Sequence, residues 1–175
     1  MSKRDLKKYL NELNKEQLEE QILELYEKFN PVKVYYDFVF NPKEEKLLQE
    51  CKLKISHEYF PIQTRSKRKK PKMRRSVAQK YIKHFILLGV DPFVIADVML
   101  YNIEIAQTFS SENFVSQELF FKSMHNSFDQ ALKFIISNGI ISEFKNRLIA
   151  ICDEVLQQKW KNSSDFKSSI ALLEE

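Results

Sequence analysis

Glycine is nearly absent from this chain: Gly89 and Gly139 are the only two in 175 residues. Tight β-hairpins lean on glycine at their turns, so the scarcity argues against a sheet-rich fold and for helices joined by short, capped connections. Cysteine is equally sparse. Cys51 and Cys152 stand far apart at apolar positions, which speaks against a disulfide scaffold and for reduced, buried thiols in a cytosolic protein. The three histidines, His57, His84 and His125, form no His-x-x-x-His or Glu-x-x-His pair, and no Cys-x-x-Cys occurs. There is no glycine-rich phosphate loop and no Gly-x-Ser-x-Gly elbow. Long apolar runs are missing too. The longest, Phe85 to Val90, is stopped by Asp91-Pro92, far short of the roughly 20 residues a spanning helix needs. The charged start, Met1 to Asp5, leads into no apolar segment, so no secretory signal is expected.

What is present is a core. Hydrophobic residues make up 43% of the chain and phenylalanine occurs fourteen times, enough for a folded protein of a single domain, residues 1–175. The apolar residues recur at helical spacing. Leu6, Leu10 and Leu13 form one set; Leu18, Ile22, Leu25 and Phe29 form the next, behind a capping-box signal at Asn14 and Gln17. Val32 to Phe40 is aromatic and β-branched and suits strand or helix by pattern alone; its shortness and helical neighbours favour helix. From Pro42, a further helix carries Leu47, Cys51, Ile55 and Tyr59.

Caps are expected at Ser76, for a helix ending at Leu88 with Gly89 beyond it, and at Asp91, with Pro92 opening a helix that runs to about Phe109. That helix is apolar nearly all round and should be central. Ser116, Ser142 and Ser164 are the expected caps of the last three. Their inward residues are Phe121, Met124, Phe128, Ala131 and Ile135, then Phe144, Leu148, Ile151 and Val155, then Phe166, Ile170 and Leu173. The expected fold is all-α, an array of about eight or nine packed helices with one real loop at 60–75.

That loop holds the strongest signal. Of the eleven residues from Arg65 to Arg75, eight are cations and none is acidic: Arg65, Lys67, Arg68, Lys69, Lys70, Lys72, Arg74 and Arg75. The whole chain has 28 Lys and Arg against 24 Asp and Glu; outside this segment the balance is 20 against 24. A mildly acidic body thus carries one concentrated positive loop, an electrostatic footprint for a polyanion. Lysine and arginine neutralise phosphates and release counterions, giving binding that is salt-sensitive and indifferent to sequence. Tyr59, Phe60 and Tyr81 lie near the loop and could stack on bases, though with 13% aromatics in the chain core packing explains them better. The plain alternative is a solvated loop that aids solubility. The acidic run of Glu16, Glu19, Glu20, Glu24 and Glu27 reads as a solvated face, or as a dock for the loop of another copy.

A second polar pattern runs along the central helix. Asp97, Tyr101, Glu104 and Thr108 step by four, three and four, which puts two carboxylates and a phenol on one stripe. A single helix supplies too few ligands for a metal, so structural hydrogen bonds or a solvent strip are expected there.

Several segments resemble a bacterial family of unknown function, met chiefly in Bacteroidetes. They are Ser2 to Leu10, Tyr35 to Lys43, Arg75 to Lys80, and Gly89 to Pro92 continuing through Tyr101 to Gln107. The resemblance spans most of the chain and implies a small cytosolic helical protein. It implies no activity, cofactor or catalytic residue.

The first expectation is therefore a non-enzymatic helical binding module that engages nucleic acid, or another polyanion such as an acidic protein, through the eight cations of the loop. The second is a protein–protein adaptor whose apolar groove does the binding while the loop is incidental. An enzyme of no assignable type comes third. Neither metal nor cofactor is expected, and oligomeric state is open.

Overall fold

A computed structural model describes residues 2–63 and 69–171. Among these the chain forms nine α-helices and no strand. The all-α expectation holds, including at Val32 to Phe40, which is helical. The chain divides into two compact units, Met1–Lys43 and Glu44–Glu175.

The first unit contains α1 (Lys3–Glu12), α2 (Lys15–Lys28) and α3 (Asn30–Phe40). The capping box at Asn14 is present: the Gln17 N–H donates to Asn14 Oδ1 at 2.8 Å and the Asn14 N–H to Gln17 Oε1 at 3.0 Å. A second box, between Ser2 and Asp5, starts α1. Helix α2 packs on α3, and the Tyr26 hydroxyl donates to Asp37 Oδ1 at 2.9 Å across that contact. No residue of these three helices is buried.

The second unit holds the core. It comprises α4 (Glu44–Tyr59), α5 (Arg75–Leu88), α6 (Pro92–Glu112), α7 (Glu118–Ser137), α8 (Ile141–Gln157) and α9 (Ser163–Ala171). Helix α6 is the hub, packed against α4, α5, α7 and α8, and ten of its residues are buried. Its largely apolar circumference favours this placement, and the stripe of Asp97, Tyr101, Glu104 and Thr108, with the helix ends, keeps contact with solvent. Asp91 caps it, accepting from the Phe93 N–H at 2.7 Å, with Pro92 in the first turn. It runs three residues past Phe109.

Helix α5 ends where Gly89 takes φ 71°, a left-handed cap that glycine adopts without Cβ strain, and the Val90 N–H closes back on the Phe85 carbonyl at 3.1 Å. Gly139 (φ 69°) ends α7 in the same way. At the far end of the unit, Phe166 of α9 is fully buried against Phe128, Trp160 and His125. Leu173 lies outside the described residues.

Four expected caps fall elsewhere. Ser76 and Ser142 sit in the first turns of their helices, whose N-caps are Arg74 and Ile140 with no side-chain bond. Ser116 precedes the actual cap, Gln117, and Ser164 lies one residue inside α9. Helix α4 begins at Glu44 rather than Pro42. A serine is tolerated inside the first turn of a helix as well as before it, so these four serines do not mark the helix starts.

Candidate functional site

The segment that leads into α5, residues 72–74, is folded back on the end of α4. The Lys72 and Met73 N–H groups both donate to the Glu58 carbonyl, at 2.9 and 3.0 Å. Met73 takes the left-handed conformation, φ 51°, to make this reversal. On the other side of the loop, the Gln63 side chain brackets Lys69, accepting from its N–H and donating to its carbonyl, both at 3.0 Å.

The cations predicted to bind a polyanion divide into three groups. Arg65, Lys67 and Arg68 lie outside the described residues. Arg74 and Arg75 are engaged by the protein itself. The Arg74 guanidinium makes a two-pronged bond to Glu58, Nε to Oε2 and Nη2 to Oε1, each 2.8 Å. The hydrogen bonds from Arg74 hold the Glu58 carboxyl below its ordinary range, against the opposing push of burial. Arg75 reaches across to α7, donating to Ser127 Oγ and Gln130 Oε1 at 2.8 Å. Partial burial lowers its pKa, and its partners are neutral. Lys69, Lys70 and Lys72 are exposed. The two arginines thus pin the base of the loop, and the three lysines face solvent.

Two open clefts lie at this base and share His57 and Glu58 of α4. One, of about 540 Å³, is walled by Ile62, Lys69, Lys70 and Lys72. The other, of about 600 Å³, is walled by Lys54, Arg74, Lys80 and Tyr81. Lys54, His57 and Lys80 were not singled out in the sequence. Their signal was present: Lys54 and His57 are three apart on α4, and Ser76 and Lys80 are four apart on α5, so each pair shares one helix face beside the loop. Of the proposed stacking residues, Tyr59 is 2% exposed and belongs to the core, and Phe60 packs on Phe109 at 5.7 Å. Tyr81 alone lines a cleft.

The carboxylate stripe on α6 is a structural ion network. Arg147 of α8 donates from Nε and Nη2 to the two oxygens of Glu104, at 2.6 and 2.7 Å, and from Nη1 to Asp97 Oδ1 at 2.7 Å. Lys52 of α4 pairs with Asp97 Oδ2 at 2.6 Å and lies over the Tyr101 ring at 5.3 Å. Two cations meet two anions, and α4, α6 and α8 are tied together. Burial alone would push the Asp97 carboxyl up, but bonds from Lys52 and Arg147 outweigh it and hold the group low. Among the described residues no group of three or more metal-ligating side chains comes together.

A second constellation joins α7 to α9. His125 Nε2 lies 3.1 Å from Ser169 Oγ, whose hydroxyl donates to Asp129 Oδ1 at 2.6 Å. The residue types match a hydrolytic triad, but the arrangement does not. A relay needs the acid on the ring nitrogen opposite the serine, whereas Asp129 stands 3.6 Å from the same Nε2. The three groups clasp two helices. Both thiols, Cys51 and Cys152, are buried and unpaired, and burial pushes each up to about 12. They are protonated and inert near neutrality.

No helix among the described residues is long and apolar enough to cross a membrane. Comparison with curated proteins and with solved structures yields no significant match. The family described as "Family of unknown function (DUF6155)" matches residues 1–174, essentially the whole length, and the chain belongs to that family.

Proposed function

We propose that the chain is a non-enzymatic helical binding module that engages nucleic acid through the loop between α4 and α5. One observation carries this reading: Arg74 and Arg75 are bound by Glu58, Ser127 and Gln130, so the loop base is held while Lys69, Lys70 and Lys72 face solvent. A loop serving solubility alone has no use for such anchoring. Clustered, positioned lysines lower the cost of collecting a phosphate chain. A bacterial, cytoplasmic setting goes with this reading.

The second reading, a protein–protein adaptor, draws on one feature. A smaller groove of about 220 Å³ between α8 and α9 is walled by Ile149, Cys152, Leu156 and Ile170. Native purification separates the two. The protein taken from lysate without nuclease is expected to carry ultraviolet absorbance at 260 nm that nuclease treatment removes. Protein free of nucleic acid in both preparations, yet holding a stoichiometric protein partner, would favour the adaptor.

A further inference from the structure

We infer that the nucleic acid this module takes is single-stranded, held in the trough that the two clefts form across the end of α4; the inference rests on the polyanion reading above. The clefts share His57 and Glu58 and so adjoin at the end of α4. Their charge is arranged for a phosphate chain. Lys54 and Lys80 line one end, and Lys69, Lys70 and Lys72 the other. Among the described residues none of these five lysines forms an ion pair. Glu58, the acid on the floor, is neutralised by Arg74 through both of its oxygens.

Between the cations lie surfaces that suit bases rather than backbone. Tyr81 lines the cleft of Lys54 and Lys80, and Ile62, 61% exposed, lines that of Lys69, Lys70 and Lys72. Apolar and aromatic groups set among lysines in a concave channel are the means by which proteins hold unpaired bases, since every base has a face to stack. A duplex keeps its bases inside and offers only phosphates, so it gains from the outer lysines and nothing from the trough. The difference between strand and duplex therefore reports on the trough, and the outer lysines report on polyanion binding in general.

Fluorescence anisotropy tests this with labelled oligo-dT and oligo-U of twelve nucleotides and a twelve-base-pair duplex, across a salt series. Single strands of either sugar are expected to bind roughly tenfold tighter than the duplex. For five lysines on a single strand the slope of log affinity against log salt should be about −3.5. Lys54→Ser with Lys80→Ser should make that slope shallower by about 1.4. Tyr81→Leu should weaken strand binding at least about fivefold with the slope unchanged. Circular dichroism confirms that each variant is folded, and Lys133→Ser, an exposed position on α7, serves as the control. Equal affinity for duplex and strand, with K54S/K80S and Y81L both like the wild type, overturns the trough. In that event a loss with K69S/K70S/K72S still upholds the broader reading. Absence of any binding at low salt overturns both.

Discussion

Replacing Arg147 by methionine tests the ion network that joins three helices. The guanidinium makes three bonds of 2.6–2.7 Å to Glu104 and Asp97 and a longer one, 3.4 Å, to the Asp97 carbonyl. Methionine keeps much of the apolar stem but none of these bonds. Asp97 retains Lys52; Glu104 is left without a cation, and the balanced cluster acquires a net negative charge. Removing one partner of a fully buried pair costs about 3–5 kcal/mol, whereas an exposed pair contributes about 0.2–1. The side chains here are 24–35% exposed, so an intermediate loss is expected. That is about 2 kcal/mol, or about 4–8 °C in Tm for a chain of this length. Urea denaturation followed at 222 nm measures it. Glu104→Gln should cost about 1 kcal/mol, and the double variant should cost less than the sum, since the two act through one contact. An R147M protein within 0.5 kcal/mol of the wild type (roughly the limit of such additivity tests), or strictly additive losses, would refute the network as a structural device.

Acid should unfold the protein through Asp97 and Glu58. Both carboxyls are held low in the fold, so their contribution is complete above their ordinary values of 3.8 and 4.5 and is lost as pH falls through the folded values below these. Stability measured by urea titration should be level with respect to these groups from pH 7 to 5 and fall below about pH 4, and Glu58→Gln should make that fall shallower. Phe128, fully buried beside Phe166, should cost about 3–5 kcal/mol when cut to alanine. Cys51 and Cys152 should resist a thiol reagent in the native protein at pH 8 and react at once in denaturant. Equilibrium dialysis should find no stoichiometric divalent metal at the α6 stripe, whose carboxylates are already committed to Lys52 and Arg147.

The sequence announced those features whose cause is local. Asn14 with Gln17, Asp91 with Pro92, and Gly89 each satisfy orphan backbone groups within a few residues, so the letters alone mark them. Serine is a weaker sign because it is tolerated inside a helix as well as before it. Ser76, Ser142 and Ser164 accordingly lie inside their helices. The central place of α6 followed from its all-round apolarity. The division of labour in the basic loop did not follow from any pattern. A count of cations treats Arg74 and Lys72 alike, while Glu58 lies 16 residues from Arg74, and Ser127 and Gln130 lie 52 and 55 from Arg75. Arg147 is likewise 43 and 50 residues from Glu104 and Asp97. Such pairings arise only when helices pack, and no periodicity along one helix records them.

Affinity for duplex DNA as a function of salt tests the central claim most directly. With about four to six loop cations on phosphates, log affinity should fall against log salt with a slope near −4 to −5. The dissociation constant should be on the order of 10⁻⁴ to 10⁻⁶ M at physiological salt, with little dependence on sequence. Replacing Lys67, Arg68, Lys69 and Lys70 by serine should remove most of this binding and leave the circular dichroism spectrum and melting unchanged. Undetectable binding of duplex and single strand alike at low salt, or equal binding by the folded variant, would contradict a nucleic-acid role for the loop.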